Sequence, residues 1–394
     1  TDTFGNSYDK IVNLTLTNEV NESRYSGGAE QLADSVITGN QQLSSLAALS
    51  DGRYILVWSD GSAVGADASG YGIKGQIIAA NGAKIGAEFL INTATLNNQD
   101  NPVASGLPSG GFVVTWADAS LTGGDASVSS IKAQLYNAAG VAVGGEILVN
   151  TATLNAQKMP SVASLSDGGF VITWNDSSLQ GGDSSASSVK AQIFDANGNR
   201  VGSEFLVNTI TTNIQDTPVV ASLQNGGFVI SWHDGSLLGG DSSKDSVKAQ
   251  VFSANGVKVG GEFLVNTETN GNQQQQAIVG LSSGGFAIAW ADASGRGIDR
   301  SYYGIRLQVF DENGNKVGGE IQANTTTFIG QLAPTISAMS DGNFVVSWAD
   351  YSGVASEDGT AGIKAQIFDM LGNPVGGEFI VNTQSQGAQT DPAV

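Results

Sequence analysis

The chain contains no cysteine. That excludes a disulfide framework, thiolate metal sites and a cysteine nucleophile. It has only 7 prolines and a single histidine in 394 residues. Charged residues make up 14%, against about 25% in an average soluble domain. Positive charge is the scarcer sign: 17 Lys and Arg stand against 37 Asp and Glu, a formal net charge of −20. Such an acidic surface repels nucleic acid and anionic membranes, so neither is expected as a partner. No apolar run approaches the ~20 residues of a membrane helix, and membrane insertion is not expected. Neither a Met nor a signal peptide opens the chain at Thr1, which reads as a processed product or a piece of something longer.

What is present is glycine, at 53 positions, and 40% hydrophobic residues, enough for a large core. A strict repeat is present as well. Trp58, Trp116, Trp174, Trp232, Trp290 and Trp348 are all 58 residues apart (116 − 58 = 58, through 348 − 290 = 58). The same interval links Gln41, Gln99, Gln157, Gln215, Gln273, Gln331 and Gln389. It also links Glu30, Glu88, Glu146, Glu204, Glu262, Glu320 and Glu378. Glu occurs in seven copies and Trp in six, so the array begins and ends partway through a unit. Self-similarity at a fixed period marks a repeat architecture.

Residues 157–214 show what one unit builds. Ser161 to Leu165 is a short apolar segment closed by the turn signal Ser166-Asp167-Gly168-Gly169. Phe170-Val171-Ile172-Thr173-Trp174 is β-branched and aromatic, and too short for a helix. Val189 to Phe194 alternates apolar and polar residues, Asp195 to Gly198 is a hairpin turn, and Val201 to Val207 is a fourth strand. Tandem four-stranded units predict a β-propeller. The unbroken apolar run at each Trp fits a strand covered on both faces by neighbouring blades. A β-solenoid would have coils of ~20–30 residues, and a lone 58-residue sandwich would bury too little surface.

The expectation is one all-β domain over 1–394, a seven-bladed propeller of four-stranded antiparallel blades. Full repeats cover 41–98, 99–156, 157–214, 215–272, 273–330 and 331–388. Residues 1–40 and 389–394 would join as a composite seventh blade, with Lys10 to Thr17 standing in for the missing Trp strand. An open or longer array is the alternative.

The most regular polar feature is Trp-x-Asp-x-Ser, with an acid nine residues after each Trp. It gives Asp60, Ser62 and Asp67; Asp118, Ser120 and Asp125; Asp176, Ser178 and Asp183. Further along it gives Asp234, Ser236 and Asp241; Asp292, Ser294 and Asp299; Asp350, Ser352 and Glu357. Carboxylates and hydroxyls in a Gly-flexed loop suit a hard cation such as Ca²⁺. Asp and Ser are equally the residues of an ordinary turn, bonding their own backbone. The spacing matches no EF-hand loop.

The six Trp read as core, since each ends an apolar strand, in preference to sugar-stacking platforms. Lys74, Lys132, Lys190, Lys248, Arg306 and Lys364 share the period and are natural partners for the Glu series. The Gln series reads as loop-anchoring amides. Catalysis needs an asymmetric constellation. Every candidate acid is copied, and His233 occupies a position filled elsewhere by Ser, Ala or Asn. A non-enzymatic chain is therefore expected. Unit five deviates at Arg296, Arg300, Tyr302 and Tyr303 and unit six at Tyr351, the best candidates for a specific ligand contact.

The segments Asp167 to Trp174, Val189 to Asn199 and Val201 to Thr209 resemble the tandem repeats of large, acidic, cysteine-free bacterial surface proteins of the RTX (type I secreted) kind. The resemblance covers nearly the whole chain. It implies an extracellular or cell-surface location, Ca²⁺-rich surroundings, and an adhesive or surface-layer role. The Gly-Gly-x-Gly-x-Asp calcium nonapeptides of that class are absent, so calcium binding does not carry over from them. The function expected is an extracellular binding or adhesion module with polysaccharide or another surface protein as partner. A multivalent lectin, and a self-associating surface-layer or filament block, are the alternatives.

Overall fold

The computed structural model describes residues 10–11, 14–16, 25–27, 31–32, 34–36, 38–65, 67, 69–295, 302–353, 355, 359–383 and 387–393. Six four-stranded antiparallel sheets cover 41–90, 99–148, 157–206, 215–264, 273–322 and 331–380, and form the blades of a propeller. Among the described residues no helix is long and apolar enough to cross a membrane.

Blade 3 shows the plan. Its strands Gln157–Ser164, Phe170–Asp176, Ser188–Phe194 and Arg200–Leu206 pair in sequence order. The middle two are buried along their whole length. That is why the sequence there loses the alternation of a half-exposed strand. Trp174 is fully buried, in one cluster with Val113, Ile131 and Val149 of blade 2 and Val162, Ile172 and Phe194 of blade 3. The core is thus a series of inter-blade seams. The third-to-fourth hairpin turns at Gly198, whose φ of 79° needs glycine. Asp195 Oδ1 accepts the Asn197 and Asn199 N–H groups there, at 2.9 and 2.8 Å. The fourth strand bulges opposite Gln192. The Gln192 amide donates to the carbonyls of Ile193, Val201 and Gly202 at 2.9, 3.3 and 3.4 Å, satisfying groups that the bulge frees.

Among the described residues the seventh, composite blade is not formed, and the expectation is corrected to six blades. Residues 389–393 make no strand. The N-terminal strands pair among themselves: Lys10–Ile11 with Gln31–Leu32, and Leu14–Leu16 with Tyr25–Gly27. In blade 1 Lys74 pairs with Leu90, so the repeat would set Leu16 opposite Leu32; Leu16 instead pairs with Tyr25. The reason lies in the side chains that pin a full blade. Leu16, Asn18 and Asp34 stand where blade 1 has Lys74, Gln76 and Asn92. Without the ammonium, the long amide and the exit-loop amide, nothing fixes the outer hairpin to the repeat's register.

Candidate functional site

The repeated acids lie at one end of the propeller, where second strands end and the long loops begin. The Asp of each Trp-x-Asp-x-Ser motif is held by its own blade. Oδ1 accepts the Gln Nε2 of the first strand at 3.0–3.2 Å, and Oδ2 accepts the motif's Ser Oγ at 2.5–2.8 Å, in all six blades. A buried cation joins the same oxygen: Lys74 Nζ at 2.7 Å from Asp60, Lys190 at 3.0 Å from Asp176, Lys248 at 2.9 Å from Asp234 and Lys364 at 3.0 Å from Asp350. Arg306 Nε is 3.5 Å from Asp292. In blade 2 Lys132 donates instead to the carbonyls of Thr122 and Gly123.

The acid nine residues after Trp is a separate turn element. Asp125 Oδ1 accepts Ser127 N at 2.9 Å and Oδ2 accepts Asn150 Nδ2 at 3.0 Å; Asp67, Asp183 and Asp241 are bonded alike. A divalent ion at these loops would have to displace a lysine ammonium or an amide N–H. Asp299 and Glu357 lie outside the described residues, as do Arg296 and Arg300.

The Glu series faces two ways. Glu204 Oε1 takes Lys190 Nζ at 2.9 Å. Its Oε2 accepts Thr151 N, Thr151 Oγ1 and Ala152 N of the preceding blade's exit loop, at 2.6, 2.7 and 3.3 Å. Glu146, Glu204, Glu262, Glu320 and Glu378 thus each clamp their blade to the one before, and Glu88 holds Ser35 N of the N-terminal segment. Burial pushes the Glu204 carboxyl up, but the Thr151 donors and Lys190 outweigh it and hold the group below the ordinary range. Glu320 shifts the other way from Glu204: burial wins there and its pKa is raised, with Arg306 Nε 3.7 Å away. The Glu–Lys partnership expected from the period is thus present in blades 1, 3, 4 and 6, and as Arg306–Glu320 in blade 5, with the Asp as an unforeseen third member.

The exit-loop Asn, at 92, 150, 208, 266, 324 and 382, was not singled out by sequence reasoning, although it recurs at the same interval. Its Nδ2 donates to the Gln Oε1 of the next unit at 2.9–3.3 Å, and its Oδ1 accepts a third-strand N–H. Gln, Asn, Asp, Lys and Glu together form one polar belt. It is a scaffold, copied from blade to blade.

Two features rise out of that scaffold. The first is a set of exposed apolar residues in the left-handed region. Leu121, Leu179 and Leu237 have φ of 58–59°, where blades 5 and 6 use Gly295 and Gly353. Ile329 has φ of 61°, where blades 1 to 3 use Asn97, Asn155 and Asn213. A bulky or β-branched residue at such a φ is strained. Leu121 lines a shallow groove of about 740 Å³ between blades 1 and 2, with Ser69, Asn97, Asn98, Ser127 and Val128. Further round, Tyr302 is 80% and Phe328 69% exposed, and Tyr351 is partly exposed. Tyr303 is half-buried, its carbonyl accepting Gln331 N. Of the sequence candidates for ligand contact, Tyr302 and Tyr351 thus reach solvent.

The second feature is unrepeated. His233 Nδ1 is 2.8 Å from Asp216 Oδ1, and Nε2 is 3.3 Å from Asp245 Oδ2. No other blade has an acid at either position except Asp100 in blade 2, which corresponds to Asp216. Burial lowers the imidazole pKa, but the Asp216 hydrogen bond and the two carboxylates outweigh it, and the net shift is upward. A raised folded pKa means stability that is fully present below the unfolded value of about 6.5 and is lost as pH rises through the folded value. His233→Asn, the residue of blade 3, is expected to flatten the stability–pH profile above pH ~6.5. An unchanged profile in denaturant titrations across that window would show that the pair is not coupled to folding.

No protein-family model matches the chain, and no curated protein matches it. Solved structures do share the architecture. The α-L-arabinofuranosidase of Fusarium graminearum, of glycoside hydrolase family 93 and in complex with arabinobiose, is 12% identical, with a TM-score of 0.52 over 84% of this chain and 93% of that one. The α-L-arabinanase of Penicillium chrysogenum, also with arabinobiose, is 14% identical, with a TM-score of 0.51 over the same shares, 84% and 93%. The K499G mutant of the NanB sialidase of Streptococcus pneumoniae is 8% identical, with a TM-score of 0.52 over 80% of this chain and 66% of that one. At these identities the likeness establishes the fold. It also corrects the expectation of a non-enzymatic chain, because propellers of this architecture include glycoside hydrolases. The copied acids describe the scaffold, and repetition of the scaffold is no argument against an unrepeated catalytic constellation.

Proposed function

We propose that the loop face is a carbohydrate-directed surface, taking an extended polysaccharide across the grooves between successive blades. What carries this is the set of exposed apolar residues at positive φ: Leu121, Leu179, Leu237 and Ile329. Each gives up stability through backbone strain while leaving apolar surface in water, a combination that makes sense at a contact site. Hydroxyls and amides of Ser69, Ser127, Asn97 and Asn98 flank Leu121. That mixture suits a sugar ring, which has an apolar C–H face and a fringe of hydroxyls. Tyr302 and Phe328 add flat faces for stacking. The arabinobiose bound by two propellers of like fold supports the same class of ligand. The acidic, cysteine-free composition and the RTX-type resemblance support a bacterial extracellular or surface setting, with adhesion to polysaccharide as the role.

The test is affinity electrophoresis of the full chain through a panel of neutral and acidic polysaccharides, with the incubations analysed for released sugars. Retardation by at least one polymer is expected, and its loss in Tyr302→Ala and Phe328→Ala. Free migration through the whole panel would remove the proposal. Released sugars would make the face a hydrolytic one. Leu179→Gly and Ile329→Asn are expected to gain about 1 kcal/mol each in denaturant unfolding, by relief of the left-handed strain. Both should weaken retardation, a trade of stability against function. A variant that gains stability and binds as before would show that the residue makes no contact.

A further inference from the structure

Two positions on the first strand are not copied between blades. They follow the Gln that opens this strand in every blade. The first is charged in three blades, as Asp100, Lys158 and Asp216, and neutral in the other three. The second is a different residue in each of the six: Leu43, Asn101, Met159, Thr217, Gln275 and Ala333. The backbone there is nevertheless the same. The first strand bulges in every blade, and φ at the second position is 47–57° throughout. Such a φ favours glycine, which no blade uses, and it is least suited to the β-branched Thr217. The bulge belongs to the fold, but the side chains do not follow from it. Bulky side chains held under left-handed strain are a feature of contact sites.

These residues stand round the propeller axis. First strands of successive blades bond directly to one another: Ser45 Oγ accepts Ala104 N at 3.2 Å, Ser105 Oγ accepts Ser164 N at 3.1 Å, Ser161 Oγ accepts Val220 N at 3.2 Å, and Gln275 Oε1 accepts Ala333 N at 3.0 Å. A cavity of about 400 Å³ lies between them, lined from four blades by Ser105, Val162, Ala221 and Ile278 among others. The opening Gln pairs with the Asp that ends the second strand, so the uncopied pair sits at the loop-face mouth of the axis. The charged side chains there come from blades 2, 3 and 4, with Lys158 exposed and both Asp partly so. Asp216 Oδ1 is taken by His233 Nδ1 at 2.8 Å and Thr217 Oγ1 at 3.4 Å, and Asp100 Oδ1 by Asn101 Nδ2 at 2.8 Å. Among the described residues Oδ2 of each has no hydrogen-bond partner. Gln276, at a position that is Pro in four blades, donates Nε2 to Thr217 O; it is 5% exposed and its Oε1 has no partner either. Resting on the carbohydrate reading of the loop face, we propose that Asp100, Lys158 and Asp216 form one axial site for a neutral sugar residue of the polysaccharide and set its specificity. The carboxylate oxygens accept sugar hydroxyls, Lys158 donates to them, and the exposed Leu43 and Met159 offer apolar surface to a C–H face. An anionic sugar would meet two carboxylates and one ammonium on a chain of net charge −20, and is repelled.

His233 is the only histidine, so its imidazole gives a single resonance that reports on Asp216. The test is NMR titration of the full chain with neutral gluco-, xylo-, manno- and galacto-trisaccharides and with trigalacturonate. A saturable shift of the His233 signal is expected with at least one neutral sugar, and none with trigalacturonate. Asp100→Asn and Lys158→Gln should each weaken that binding by about tenfold or more, the effect of one lost charged hydrogen bond. Both replace solvent-accessible groups, and an unchanged melting temperature checks that the fold is kept. Tyr302→Ala should weaken retardation by polymer and leave the His233 shift intact, which separates the axial site from the outer contacts. Retardation by a polymer with His233 unmoved by every sugar, or a shift that both axial variants keep at full affinity, would overturn the axial site and leave the carbohydrate reading standing. A shift produced by trigalacturonate alone would overturn the neutral class. Neither retardation nor shift would remove both.

Discussion

Replacing Lys190 with Met is expected to lower the unfolding free energy by about 3–5 kcal/mol, more than any surface change in the molecule. The ammonium lies 3.0 Å from Asp176 and 2.9 Å from Glu204, and its side chain is almost wholly buried. Removing it leaves two carboxylates facing each other in a site that excludes water. One of them, Glu204, also holds the Thr151 backbone of the preceding blade, so the loss extends into the seam. The pH dependence should change with it. Glu204 has a lowered pKa in the native protein, so its contribution is present above the ordinary Glu value of 4.5 and is lost as pH falls through the folded value. In Lys190→Met that sign should invert, because a carboxylate without its cation is favoured in the protonated form when buried. Adding Asp176→Asn and Glu204→Gln should recover part of the loss. Denaturant unfolding at pH 7 and at pH 4.5 checks both points, and a loss under 1 kcal/mol at pH 7 would show the triad to be dispensable.

Trp174→Ala is expected to lower stability by a similar amount, about 3–5 kcal/mol, through lost burial and the cavity left behind. Trp174 packs against Val113, Ile131 and Val149 of the preceding blade, so the cavity opens at a seam between units. A loss under about 2 kcal/mol in denaturant unfolding would mean that the seam closes over the cavity and that the inter-blade cluster adds little to stability. In a repeat protein, where stability sums over units and seams, Trp174→Ala should also split the unfolding transition.

The scaffold was legible because it is periodic. One copy of a Glu, a Lys or a Trp says little, but recurrence at 58 residues shows that the position serves every unit alike. The strand order, the hairpin turns and the burial of Trp174 all follow from residues within one unit. The candidate site was less legible because it consists of departures. Asp216 and Asp245 are 29 residues apart (245 − 216 = 29), and only the antiparallel pairing of Asp216 with His233 brings both to the imidazole. Leu179 looks like any loop leucine until its φ of 58° is known. Phe328 and Ile329 carry no motif, and their exposure depends on how the exit loop lies over the blade.

The sequence by itself determined the repeat, its four-stranded unit, the six complete copies and the charge partners on neighbouring strands. These are set by local patterning and by spacing, which survive without knowledge of the whole. Tertiary structure alone decided the blade count, since closing a seventh blade depends on whether distant ends can pair. Leu16, Asn18 and Asp34 lack the long polar arms that hold Lys74, Gln76 and Asn92 in register, and the N-terminal strands pair with each other instead. Tertiary structure also decided which groups are left bare. Asp34 is one acid among 37 in the sequence, and in the fold a buried carboxylate whose two oxygens have no hydrogen-bond partner.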